Sequence, residues 1–344
     1  MRHCLIITAI FVGLSCYSCK KKDDVVPPPE VSLTRAPAGF PHIPFPEDNP
    51  FTLRKWELGK KLFNDKMLSV DYSISCASCH KTSLAFSDDQ AVSLGAGGIA
   101  GRRNAPTLAN VAYHPYYTRE GGVPTLEMQI LVPIQEHDEF NFNIVEIAER
   151  MKQVPEYVNM SREVFNREPD PYVITRAIAT FERTLISGNS AYDKYINQGA
   201  GATGFTEAAK RGMNLFFSER TQCAGCHSGF DFSNYSFENN GLHEVYKDMG
   251  RRRFTGKPED NALFKVPTLR NIALTPPYMH DGSIRTLEDV VTHYNQGGKN
   301  HPNKSVKIKP LGLSQQEQKD LLAFLRSLTD IEFIANKNFY NETQ

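Results

Sequence analysis

Hydrophobic side chains recur three and four residues apart over residues 142–153, 173–186, 207–217, 286–295 and 314–328, and this spacing predicts amphipathic helices. Ser314 followed by Glu317 adds a capping box at the start of the last of these. Residues 57–63 read as a further helix, and no alternating β pattern of useful length occurs anywhere. The chain is predicted to be all-helical.

The two ends of the pattern differ from its middle. Arg2 and His3 precede an apolar run, residues 5–14, which is too short to span a bilayer. Small residues, cysteines and Lys20-Lys21-Lys22-Asp23-Asp24 follow, which is the layout of a secretory signal over residues 1–18. Cys19, or alternatively Cys16 after Leu14-Ser15, stands where a bacterial lipoprotein is cleaved and lipidated; plain cleavage is the other reading. Residues 19–50 then form a proline-rich stretch (Pro27, Pro28, Pro29, Pro37, Pro41, Pro44, Pro46, Pro50), extended and unable to build core, a tether between membrane and folded protein. Two folded units are expected, 51–200 and 201–344, with the boundary near Gly199-Ala200-Gly201.

Composition narrows the function classes. With 344 residues, 40% hydrophobic and 23% charged, the chain has ordinary globular make-up and room for two domains. Lys plus Arg and Asp plus Glu both total 39, so no basic excess is available to neutralise a phosphate backbone, and nucleic acid is not an expected partner.

The cysteines carry the chemistry. Cys76-Ala77-Ser78-Cys79-His80 and Cys223-Ala224-Gly225-Cys226-His227 are two Cys-x-x-Cys-His strings. In such a string two thiols add across the vinyl groups of heme, and the adjacent histidine ligates the iron. Zinc-ribbon cysteine pairs sit about 15–20 residues apart, whereas these begin 147 apart. Disulfides are the remaining alternative for an exported protein, but the histidine after each pair fits heme. Two covalent c-type hemes are expected.

The halves also repeat each other. Ala105-Pro106-Thr107-Leu108-Ala109-Asn110 matches Val266-Pro267-Thr268-Leu269-Arg270-Asn271. At equal spacing downstream come Glu120-Gly121 and Asp281-Gly282, then Thr125-Leu126-Glu127 and Thr286-Leu287-Glu288. One unit is used twice. The expected fold is two all-α, cytochrome c-like domains, each wrapping one heme.

At this point the motifs resemble the bacterial diheme cytochrome c peroxidases and their relative MauG. The likeness runs over about residues 40–328 and rests on the heme strings, Arg103-Asn104-Ala105-Pro106-Thr107 and Pro277-Tyr278-Met279-His280-Asp281-Gly282. It implies reduction of hydrogen peroxide at the first heme, with the second relaying electrons from a small periplasmic donor, a c-type cytochrome or a cupredoxin. Dimerisation is common in the family. The resemblance puts Gln129 and Glu139 on the distal side of the first heme, Glu139 to shuttle the proton that peroxide cleavage requires and Gln129 to orient peroxide or water; a solvated helix face is their bland alternative. His137 lies nearby as a rival base. It also implies an interdomain calcium ion on the Asn104 side chain and the backbone carbonyls of Thr275 and Pro277, oxygen donors that suit a hard ion, unless Asn104 simply caps a turn.

Three positions depart from the family. Where many members carry a histidine that blocks the first iron this chain has Ala96, so the first heme is expected to be open without reductive activation, with Met128 as the one alternative blocker. Where ordinary peroxidases place a methionine on the second iron this chain has Tyr294, as in MauG; an anionic tyrosinate lowers the potential. Met279 is the rival ligand, and His293 the outsider. Where the family places a tryptophan between the hemes this chain has Arg119, and its only tryptophan, Trp56, lies before the first heme. Electrons then pass by tyrosines such as Tyr116, Tyr117 or Tyr278, or by direct tunnelling. The readings in order are a peroxidase, a MauG-like oxidant of a partner protein, and a passive electron carrier. Arg251-Arg252-Arg253 is either a docking patch for an acidic donor or a solvated charge run.

Overall fold

The computed structural model describes residues 29–340. The predicted signal and both lipidation candidates, Cys16 and Cys19, lie outside the described residues. Among the described residues no helix is long and apolar enough to cross a membrane.

The predicted helices form at Leu53–Asn64, Ile144–Lys152, Pro171–Glu182, Glu207–Phe216, Leu287–Gln296 and Gln315–Arg326. The Ser314 and Glu317 capping box is in place. Helices Pro155–Phe165 and Ala191–Gln198 went unread. The first buries only Tyr157 and Ser161, too thin a stripe to register, and the buried side chain of the second is a charged one, Asp193, paired with Arg270. The described β-structure includes a two-stranded antiparallel ladder, Phe237 facing Lys265 and Glu238 facing Phe264.

Each half is organised by two helices that cross at a glycine. A Cβ on Gly59 would lie 1.9 Å from the carbonyl oxygen of Ala177, and one on Gly212 would lie 1.9 Å from that of Asp320. The backbones are therefore in direct contact, with Phe181 and Phe324 packed beside the two crossings. Around the first lies a core including Leu58, Leu62, Phe63, Phe86, Ile178 and Phe181; around the second, Phe216, Phe232, Val291, Leu321 and Phe324. The chain laces the halves together, since Tyr192 and Tyr195 pack on the second core while Phe333 and Phe339 return to the first.

The interface between the halves repeats the sequence symmetry. Asn104 N donates to His280 O at 2.9 Å and its counterpart Lys265 N donates to Arg119 O at 2.7 Å. Asn110 and Asn271 play matching roles: their backbone N–H groups bond Leu185 O and Leu328 O, and their side-chain oxygens accept from Ser187 N and Asp330 N. Replacing Gly59 or Gly212 with alanine is expected to cost about 3 kcal/mol or more, because backbone has no rotamer with which to yield. Denaturant titration of the heme-loaded protein reads this loss.

Candidate active site

A single helical turn, Cys76–Cys79, opened by a Ser75 and Ser78 capping box, places the two thiols of the first string three residues apart on one face. In both strings the histidine N–H closes the turn on the first cysteine, His80 N to Cys76 O and His227 N to Cys223 O, each at 2.9 Å. His80 Nδ1 donates to Phe86 O at 2.9 Å and His227 Nδ1 to Phe232 O at 3.1 Å. A carbonyl only accepts, so Nε2 of each ring keeps its lone pair, and burial lowers both imidazole pKa values so that the rings stay neutral. Phe86 and Phe232 are buried and take left-handed backbone (φ 60° and 51°), which anchors the accepting carbonyl. All four cysteines are free, and burial raises their pKa values. Neutral thiols beside an oriented imidazole fit covalent heme attachment. They do not make a zinc site, and among the described residues no group of three or more His, Cys, Asp or Glu gathers as a metal cluster would.

Thr125 caps the turn Leu126–Gln129 by accepting from Met128 N. The Gln129 Oε1 is buried with no hydrogen-bond partner. Glu139 acts electrostatically on both Cys76 and Cys79. Glu139 as a whole residue is exposed, yet protein atoms crowd around its carboxyl, and this desolvation, followed by the charges of Asp138 and Glu136, pushes its pKa up to about 7. The loop carrying Ala96 is clasped to the same segment. Ala96 N donates to Glu139 O at 2.7 Å, and a Cβ on Gly95 would lie 2.4 Å from Asp138 O. His137 is exposed. Met128 is 48% exposed and lines a cavity of about 820 Å³ with Phe45, Tyr117 and Tyr172, a cavity that neither Gln129 nor Glu139 lines.

Both candidate ligands of the second iron meet on one amide. Asn240 Nδ2 donates to Met279 Sδ at 3.1 Å and to the Tyr294 hydroxyl at 3.4 Å, and His293 Nε2 lies 3.0 Å from Asn240 O. Burial pushes the Tyr294 pKa up to about 12, and the charges of Cys223 and Cys226 add to the rise. His293 is thus spent on a carbonyl, while Tyr294 and Met279 stay together.

Asn104, the side-chain donor expected for calcium, does not fit a cation as it stands. Arg119 Nη2 donates to Asn104 O at 2.7 Å and to Asn104 Oδ1 at 3.3 Å, so a guanidinium already holds the oxygen that calcium would need. Trp56 is a core residue whose Nε1 donates to Thr184 Oγ1 at 2.8 Å. Tyr117 and Tyr278 are buried at matching positions, bonding Val123 O and Ile284 O, and the Tyr116 hydroxyl donates to Tyr235 O. Arg251 is engaged by Glu120 O and by the face of Phe237, which leaves Arg253 as the exposed member of its run.

Sequence reasoning missed Asn240, which carries no motif or periodicity. It also missed Glu182, for which a signal existed: a carboxylate on the apolar face of a helix. Glu182 is 6% exposed, acts electrostatically on Cys76, and burial pushes its pKa up to about 8.

The family model described as di-haem cytochrome c peroxidase matches residues 53–201, and that for cytochrome c matches residues 209–329. The methylamine utilization protein MauG of Methylorubrum extorquens is 39% identical over 86% of this chain and 82% of its own. The chain belongs to the diheme cytochrome c peroxidase and MauG family. The cytochrome-c peroxidase IdrP1 of Denitromonas iodatirespirans is 34% identical over 85% of this chain and 86% of its own. Among solved structures, a MauG-like protein associated with microbial copper homeostasis superposes with a TM-score of 0.85 at 34% identity, covering 90% of this chain and 99% of that one. Membership makes the protein a diheme oxidoreductase built from two cytochrome c-like domains, with two c-type hemes as cofactors.

The buried Glu182 yields a pH prediction. Its folded pKa is raised from 4.5 to about 8, so its folded-state advantage is complete below about 4.5 and is lost as pH rises through about 8. Glu182→Gln is expected to match wild type in acid and to become the more stable protein with rising pH, as read from denaturation midpoints across that window.

Proposed function

We propose that the protein is a peroxidase of this family. It reduces hydrogen peroxide to water at the heme attached to Cys76 and Cys79 and ligated by His80, with electrons relayed through the heme on Cys223, Cys226 and His227. The observation that carries the reading is Glu139, a carboxyl with a pKa near 7 in electrostatic reach of the first pair of heme thiols, on the same half as the unpartnered Gln129 Oε1. When bound, the heme supplies the redox centre at which the O–O bond is reduced. The side chains supply the proton traffic. The Glu139 carboxylate takes the proton of the near peroxide oxygen and returns it to the leaving one, so that water and not hydroxide departs. Gln129 Oε1 accepts from the peroxide O–H and holds its direction. Ala96 offers no side chain able to ligate iron, and the clasp of its loop onto residues 138 and 139 supports a first heme open from the start.

The donor is a small c-type cytochrome or cupredoxin. The site of action is the periplasm, with the chain tethered through Cys19 or Cys16. Calcium does not enter the reading, because Arg119 occupies Asn104.

A second reading is favoured by Tyr294 and by the relatives named MauG: a diheme oxidant that modifies a partner protein. Mixing fully oxidised, heme-loaded protein with peroxide and a reduced c-type cytochrome separates the two. Peroxidase function gives donor oxidation without a lag; a long-lived oxidised heme state beside an unoxidised donor replaces it with the MauG-like reading. Glu139→Gln is expected to lower kcat/KM for peroxide by about 10²–10⁴-fold. In wild type kcat/KM rises with pH through about 7 as the base ionises, and the variant loses that limb.

Tyr294 is proposed as the distal ligand of the second iron. Tyr294→Phe is expected to raise that heme's potential and change its low-spin spectrum, because an anionic donor is lost. Met279→Leu is expected to leave both unchanged.

A further inference from the structure

Two cations stand at the interface of the halves without a carboxylate of their own. Arg119 donates only to the two oxygens of Asn104, and its Nε is shut off from solvent with no partner. Lys265 Nζ donates to Tyr116 O at 2.8 Å and lies 3.4 Å from His114 Nδ1, both uncharged acceptors. The two residues are joined through the backbone, Lys265 N to Arg119 O at 2.7 Å. The acids around them are already engaged. Arg103 takes Glu120 and Asp248. His243 takes Asp281 at 2.8 Å. Asn110, Tyr235 and Thr268 all donate to Asp231. Sheltered like charges with no carboxylate in hydrogen-bond contact are costly even with Asp231, Asp248, Asp281 and Glu120 acting at longer range, and this leaves both cations open to a further anion.

Their position says which anion. Asn104, held by Arg119, lies two residues before Pro106, whose backbone is close enough to the His80 ring to raise its pKa. Lys265 lies two residues before Pro267, whose backbone is close enough to the His227 ring to raise its pKa. Each cation is thus tied by a short stretch of chain to one of the two heme histidines. Heme carries two carboxylates, and the guanidinium fork pairs with a carboxylate better than any other side chain does.

We propose that Arg119 and Lys265 form a carboxylate clamp between the hemes, binding heme propionates and supplying the interdomain positive charge that a calcium ion would otherwise bring. The clamp is independent of whether peroxide or a partner protein is the final substrate. Arg119 and Lys265 are positioning residues; neither touches the reacting atoms.

The test uses the holoenzyme with both hemes attached. Arg119→Gln and Lys265→Gln are each expected to shift the propionate bending bands in the resonance Raman spectrum and to move at least one heme midpoint to lower potential, since removing a nearby positive charge favours oxidised iron. Arg119→Lys keeps the charge and is expected to stay near wild type in potential. Unchanged bands and potentials in a folded, fully loaded Arg119→Gln protein would overturn the proposal. So would stoichiometric calcium in the wild-type protein whose chelation produces the same Raman shift, because the ion would then be what neutralises the carboxylates. If Arg119→Gln does not fold, the Lys265→Gln comparison and the calcium content of wild type still decide.

Discussion

Everything that holds heme in this protein hangs from two places where helices touch backbone to backbone. Glycine is required at Gly59 and Gly212 because any Cβ there would sit inside the carbonyl of the opposing helix. Contact at that range brings Phe181 and Phe324 against the crossing, and they in turn pack near Phe86 and Phe232. Those two phenylalanines supply the carbonyls that orient His80 and His227. A helix crossing is thereby converted into the direction of a ring nitrogen, through one aromatic contact and one hydrogen bond. The tight packing of protein interiors makes such a chain stiff: no link has free volume in which to relax.

The second constraint is electrostatic. Residues near the hemes are crowded by protein, and their titrations respond to what burial does to a charge. Glu139 and Glu182 are pushed towards the protonated form, His80 and His227 towards the neutral form. The same cause serves different ends. For a heme histidine it preserves a lone pair; for Glu139, in the role proposed for it, it brings the pKa near the working pH. The pair of Glu127 with Arg183, by contrast, is a buried ion pair with two hydrogen bonds at 2.6 and 2.9 Å, and it braces the turn that presents Gln129.

The fold was largely legible in the sequence, for physical reasons that can be traced residue by residue. Strong apolar stripes such as those of Pro171–Glu182 and Gln315–Arg326 announced themselves because each buries a continuous face. Pro155–Phe165 did not, because only Tyr157 and Ser161 of its residues are fully buried. The heme strings were legible because their chemistry is local, five consecutive residues. Glu139 was readable only through family likeness, since nothing in its own neighbourhood distinguishes it from Glu136 or Asp138. Asn240 and the Arg119 contact with Asn104 were beyond sequence reasoning. Both join segments far apart in the chain through side chains that follow no period, and only a folded backbone brings them together.

Duplication explains how one scaffold came to hold two different sites. Matching backbone bonds persist at Tyr117 and Tyr278, at Asn110 and Asn271, and at Asn104 and Lys265, so the shared frame is carried by main chain. What differs is the side chain hung at each matched position. Thr118 and Met279 occupy the same left-handed bend (φ 62° and 79°), yet only the second places a sulfur beside Asn240. Arg119 and His280 follow them, one a fixed cation and the other an imidazole stacked on Phe264. Backbone hydrogen bonds do not depend on side-chain identity, so these positions were free to diverge without loss of fold. The asymmetry proposed between an open first heme and a ligated second one therefore requires no change of architecture, only a change of the groups carried by a turn that both halves share.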